Sequence, residues 1–149
     1  MWLLNNHNSD MNDVKEASHL LLKEFLNIPL DKKIKIDYLK VISQEKGLDI
    51  LMACKVDKQK YVIVIKDKTN STEHGDQLNR YRTHINEEYA EYKNKSFLFY
   101  KTNLMTKAER ESVTSKVWRI FDIESIKELF SSITSKLNHY LLTKYTMNC

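Results

Sequence analysis

Apolar residues recur at two different spacings along this chain, and each switch of spacing marks an element boundary. From Asp10 to Leu26 the apolar positions Val14, Ala17, Leu20, Leu21 and Phe25 follow one face of a helix. Ser9, Asp10 or Asn12 is available to cap its start, and Pro29 lies just beyond its end, where it cannot extend a helix. The period then shortens. Ile34, Ile36 and Tyr38, followed by Leu39, Val41 and Ile42, predict a first strand with some irregularity. Lys46-Gly47 reads as a turn, Leu48 to Val56 as a second strand, and Asp57-Lys58-Gln59-Lys60 as a polar turn. Tyr61-Val62-Ile63-Val64-Ile65 is a continuous apolar run, which predicts a central strand covered on both faces. Asp31 to Lys68 thus reads as an antiparallel meander.

Helical spacing returns from about Glu73 to Tyr92, where Leu78, Tyr81, Ile85, Tyr89 and Tyr92 form the buried stripe. Ser96 to Tyr100 is a fourth strand. The polar segment Thr102 to Lys116 holds a short helix over Lys107 to Val113, and Val117 to Phe121 adds an edge strand. Asp122 or Ser125 caps a last helix carrying Ile126, Leu129, Phe130, Ile133, Leu137 and Leu141. The order is αβββαβ, then a strand or loop, then a C-terminal helix. A helix between the third and fourth strands is a crossover, so the expected fold is α/β with a mixed central sheet flanked by helices.

Composition narrows the class. The 149 residues are the length of one domain, 1–149, and 42% apolar content can build a sizeable core. Two glycines and one proline exclude disordered, collagen-like and turn-rich sandwich chains. The net charge of +4 is compatible with a polyanionic partner without requiring one. Two cysteines, Cys54 and Cys149, cannot form a disulfide framework, and Cys54 reads as a small buried apolar residue. No apolar run reaches the length of a membrane span, and the start lacks the pattern of a signal peptide, so a soluble, cytoplasmic protein is expected. Gly-rich phosphate loops, nucleophile elbows, HExxH and CxxC are all absent.

Three features gather the candidate chemistry. Gly47-Leu48-Asp49-Ile50 enters the second strand with one carboxylate. The apolar third strand ends in Lys66-Asp67-Lys68. Glu73 to Arg82, containing Gln77-Leu78-Asn79-Arg80-Tyr81, opens the next helix. A carboxylate beside charged groups at the end of its hairpin partner is a setting for a hard cation, and an adjacent lysine can orient or deprotonate a water and stabilise developing charge.

These stretches resemble the PD-(D/E)XK nuclease superfamily, whose members similar to this chain carry a G-x-D-I strand, an E-N-K strand end and a Q-L-x-x-Y helix. Trp2 to Asn6, His19 to Leu26 and Trp118 to Ile126 are also similar, so the resemblance spans most of the chain. It implies a restriction-endonuclease-like fold. It implies Asp49 as metal ligand, Lys68 as catalytic lysine, Gln77 and Tyr81 as helix residues facing the site, and Mg²⁺ or Mn²⁺ as cofactor. The one departure in the core motif is Lys66, which stands where the second acidic ligand belongs. Residues two apart share a strand face, so Lys66 and Lys68 lie with Val62 and Val64, and Asp67 lies with Ile63 and Ile65. Asp67 therefore cannot replace the missing ligand without a bulge or a one-residue slip. Two unit charges about 4 Å apart interact by roughly 4 kcal/mol at an effective dielectric of about 20. Exchanging an attraction for a repulsion thus lowers divalent-cation affinity by several powers of ten. Glu73 or Asp76 is the place to which the ligand could migrate. Relatives usually have a further helix before the Trp-Leu-Leu segment, so an N-terminally shortened member is expected.

Each position also has a plain structural reading. Asp49 can be a turn carboxylate in a surface ion pair, and Lys68 a solvated strand end. Lys66 is an inactivating replacement before it is a phosphate ligand. Arg80 and His84 read first as a solvated helix face, and Arg80 second as a substrate contact with Lys66 and Tyr81. Tyr81, Tyr89 and Tyr92 read as core and boundary aromatics. His7, His19 and His139 have no metal-ligand spacing. Lys32-Lys33 and Lys35 read as a solvated face.

The function expected is therefore a metal-dependent DNA nuclease domain, disarmed in whole or part by Lys66 into a pseudoenzyme. The resemblance implies restriction or phage defence as its biology. The alternative is a non-catalytic module on the same fold that binds nucleic acid or assembles with another protein. DNA is the expected partner, no membrane is, and a homodimer is one compatible assembly.

Overall fold

A computed structural model describes residues 2–43, 50–68 and 75–146, with side chains described for 3–42, 50–68 and 75–135. Its elements in chain order are α1 (Trp2–Asn5), α2 (Asn12–Leu26), β1 (Ile36–Ser43), β2 (Ile50–Val56), β3 (Gln59–Asp67), α3 (Gln77–Glu88), β4 (Asn94–Lys101), α4 (Lys107–Ser115), β5 (Arg119–Asp122) and α5 (Ile123–Thr146). One five-stranded sheet runs in the order β1-β2-β3-β4-β5. The first three strands pair antiparallel as the expected meander, and β4 and β5 join parallel, so the sheet is mixed. The α/β class, the αβββαβ order and the C-terminal helix are as the sequence predicts.

Alternation sorts the core into two layers. Met52, Cys54, Val56, Ile63, Ile65 and Leu98 pack with Leu20, Leu22 and Phe25 of α2 and Leu129 and Ile133 of α5. Leu51, Val62, Val64, Phe97 and Phe99 face the other way, onto Leu78 and Ile85 of α3 and onto Val113 and Trp118. Strand β3 is central, and Val62, Ile63 and Val64 are fully buried because both of its faces are covered. The irregularity expected in the first strand is a register shift between Ile36 and Tyr38.

Several boundaries differ from the sequence reading. Met11 occupies the N-cap of α2 with no side-chain cap, because the Ser9 hydroxyl accepts from the Met11 N–H (3.2 Å) in the turn before the helix. The polar turn tightens to Asp57-Lys58, both with left-handed φ (49° and 69°), so β3 begins at Gln59. Asp57 supports this turn by accepting from the Lys35 N–H at 2.8 Å. Helix α3 is shorter than predicted at its C-terminal end, stopping at Glu88, and Glu73 lies outside the described residues. The Lys46-Gly47 turn and Leu48 also lie outside them.

Val117 and Trp118 do not join the edge strand. They close α4 in a Schellman motif: Val117 N–H donates to Thr114 O (3.0 Å) and Trp118 N–H to Val113 O (3.4 Å). Hydrogen bonds to the helix end thus capture the two residues before strand pairing starts at Arg119. Asp122 then caps the last helix, its Oδ1 accepting from Ser125 N–H and Oγ–H at 3.1 Å, while Arg110 donates to its other oxygen at 2.7 Å. Burial would raise the Asp122 pKa, but these bonds outweigh it and hold the carboxyl below its ordinary value.

Candidate functional site

The C-terminal end of β3 positions the site. Val62, Val64 and Lys66 point toward α3, and the pleat carries Lys66 to the edge of the buried layer. Lys66 is 7% exposed, an unusual burial for a lysine. Its ammonium lies over the Tyr81 ring, 5.6 Å from the centroid. Tyr81 is held in turn by Gln77, one helical turn earlier, whose Nε2 donates to the Tyr81 hydroxyl at 2.7 Å. Asp67 is exposed and falls on the opposite side of the strand, as alternation requires. Lys68 follows the strand, and its backbone N–H donates to Tyr100 O at 3.0 Å, extending the β3–β4 pairing by one residue.

The start of α3 is fixed from below. Trp118, 2% exposed, donates its indole N–H to Leu78 O at 3.2 Å. Lys116 Nζ donates to Gly75 O at 3.3 Å, and Gly75 adopts φ +64°, the left-handed conformation that glycine takes without strain. Asp76 is exposed, and its carboxylate accepts from Asn79 Nδ2 at 2.6 Å, at the N-terminus of the helix. Arg80 is exposed on α3.

Lys66, Gln77 and Tyr81 are therefore brought into one cluster, with Lys68 continuing the strand that bears it. Asp49 and Glu73 lie outside the described residues. The sequence reading missed Lys101, the last residue of β4, which alternation places on the same sheet face as Phe97 and Phe99. Lys101 is 4% exposed and paired with Glu109 of α4 at 2.5 Å. The sequence signal was faint: a lysine closing an apolar strand, and a Thr106-x-x-Glu109 helix start whose glutamate reaches across the chain.

Residues 1–147 match the PD-(D/E)XK nuclease superfamily, and the chain belongs to it. The mixed five-stranded sheet with flanking helices is its restriction-endonuclease-like fold. No curated protein and no solved structure matches the chain. Nucleases of this superfamily generally work with divalent metal ions. A metal site that used position 66 would meet a buried ammonium there, which repels a dication. Among the described residues no group of three His, Cys, Asp or Glu side chains is placed to hold an ion, and no helix is long and apolar enough to cross a membrane.

Proposed function

We propose that this chain, as one domain spanning 1–149, binds DNA at the C-terminal end of β3, with a lysine ammonium in place of a metal ion's charge. The observation that carries the reading is Lys66, buried and set over Tyr81 beside the start of α3. A phosphodiester carries one negative charge, and a fixed ammonium can hold it as a point charge without a metal. In this reading Lys66, Lys68 and the exposed Arg80 contact phosphate, Gln77 and Tyr81 shape the pocket, and Asp49 is what remains of the metal-binding pair. The chain is then a DNA-binding pseudoenzyme of the cytoplasm, and defence against foreign DNA is the biology such a member would serve.

Phosphodiester hydrolysis with Mg²⁺ or Mn²⁺ is the second reading, favoured by a lysine at position 68 beside the site. It requires a carboxylate recruited from elsewhere. Asp76 is exposed and engaged with Asn79, which leaves Glu73 as the donor to test.

The deciding experiment is supercoiled-plasmid cleavage with Mg²⁺ or Mn²⁺ by this chain, by Lys66→Glu, and by Asp49→Ala in each background, beside a gel shift in chelator. The expected result is DNA retention in chelator without cleavage, and cleavage by Lys66→Glu that Asp49→Ala removes. Cleavage by the starting chain that Asp49→Ala abolishes would replace this reading with the second. Failure to retain DNA in chelator would remove it.

A further inference from the structure

At the other end of the sheet, two adjoining cavities collect charge. One, of about 440 Å³, lies between the end of α2, the middle of α3 and the start of β4, and contains Arg82, Lys93, Lys95 and Arg119. The other, of about 520 Å³, lies at the β2–β3 turn and contains Lys55, Lys58, Lys60 and Glu91, sharing Lys93 with the first. Arg119 is turned toward Glu24 and the Glu24 and Phe25 carbonyls. The other six cations and Glu91 give the pole +5 on a chain whose net charge is +4, so the rest of the molecule sums to −1.

The placement of these lysines opposes stability. The two-residue turn sets Lys55 directly opposite Lys60 in the β2–β3 ladder, and like charges facing each other across strands are destabilising. Alternation puts Lys55, Lys60 and Lys95 on the α3 side of three adjacent strands; Lys55 faces Lys60, while Lys95 faces Val62, two residues further along, so the three form a diagonal row across strands about 4.8 Å apart. Tyr92 anchors the row: Lys60 Nζ lies 5.4 Å from its ring centroid, and Lys95 Nζ donates to its carbonyl at 2.7 Å. The pole lies roughly 20 Å along β3 from Lys66, a length of about six base pairs of duplex.

We propose that this basic pole is a second nucleic-acid contact, which grips the phosphodiester backbone of DNA away from the Lys66 site and fixes the direction in which the duplex crosses the sheet. A single phosphate would need one focus of charge, whereas a row of cations across strand ends matches a linear polyanion. This rests on the DNA reading of the Lys66 site and adds a contact that the reading does not require.

The test is fluorescence anisotropy of a short labelled DNA duplex, and of one of its strands alone, titrated in chelator between about 50 and 200 mM salt. Four proteins are compared: the starting chain, Lys55→Gln/Lys60→Gln/Lys93→Gln, Lys68→Ala, and the control Lys15→Gln/Lys33→Gln/Lys127→Gln, which removes the same charge as the pole variant from residues outside both cavities. The pole variant is expected to bind about tenfold or more weakly, with a log-log salt slope shallower by about two to three, and the control to remain near the starting chain. Thermal stability of the pole variant is expected to hold or rise, since it relieves the Lys55–Lys60 opposition; a purely structural role would lower it. Equal losses from both triple variants, or none from the pole variant, would overturn the proposal. If binding survives the pole variant but falls with Lys68→Ala, the pole is wrong and the Lys66 site stands.

Discussion

The Lys66 ammonium lies 5.6 Å from the centre of the Tyr81 ring, which places a cation and an aromatic face from different elements in one half-buried contact. Such a contact is worth about 0.5–2 kcal/mol, more as water is excluded. A double-mutant cycle of Lys66→Met and Tyr81→Leu, followed by urea denaturation, is expected to give a coupling energy in that range. Tyr81→Phe keeps the ring and loses only the hydroxyl that accepts from Gln77, so its cost is expected to be about 1 kcal/mol. A coupling near zero would show that the ring does not hold the lysine.

Val117 occupies the left-handed position of the α4 Schellman motif at φ +65°, a conformation strained for a β-branched residue, and its side chain is 60% exposed. Val117→Gly removes the clash and loses little packing, while its unfolded chain gains entropy. The clash is the larger effect, at about 1–2 kcal/mol. The variant is therefore expected to be more stable by a fraction of a kcal/mol to about 1 kcal/mol, read as a rise of a few degrees in Tm. A fall in Tm would mean that Val117 contributes packing that outweighs its backbone strain.

Cys54 is fully buried, and burial pushes its thiol pKa up to about 12 from an ordinary 9.0. A raised folded pKa contributes stability that is fully present below pH 9 and is lost as pH rises toward 12. In that window the unfolding free energy is expected to fall by up to about 1.4 kcal/mol per pH unit from this group. Comparing urea midpoints of the starting chain and Cys54→Ala from pH 8 upward isolates the thiol from the tyrosines, including Tyr38, whose pKa burial and its bond to Tyr92 also raise to about 12. In a Cys149→Ser background the folded protein is expected to resist thiol reagents until it unfolds. Parallel pH profiles for the two proteins, or rapid labelling under native conditions, would contradict this account.

Much of the fold was legible because its signals are local. The apolar run Tyr61 to Ile65 announced a central strand, and β3 is the middle of five. The Leu78, Tyr81, Ile85 stripe announced the helix face that covers it. The errors fell where hydrogen bonds compete over a few residues. Ser9 accepts from the Met11 N–H in the turn before the helix and leaves Met11 as the cap, and Val117 and Trp118 bond back to α4 before the strand can begin. Neither outcome is visible in hydrophobic spacing.

For the site, chain order alone set which residues share a strand face, because the two-residue pleat fixes that Lys66 lies with Val62 and Val64 and that Asp67 does not. It also placed a lysine, and no acid, on that face at the end of the apolar run of β3. Tertiary structure decided what those residues meet. Burial of Lys66 beneath Tyr81, the Lys101–Glu109 pair, and the opposition of Lys55 and Lys60 all depend on strand register and helix docking. These are contacts between residues far apart in the chain, set by the packing of whole elements, and no local pattern encodes the distance between them.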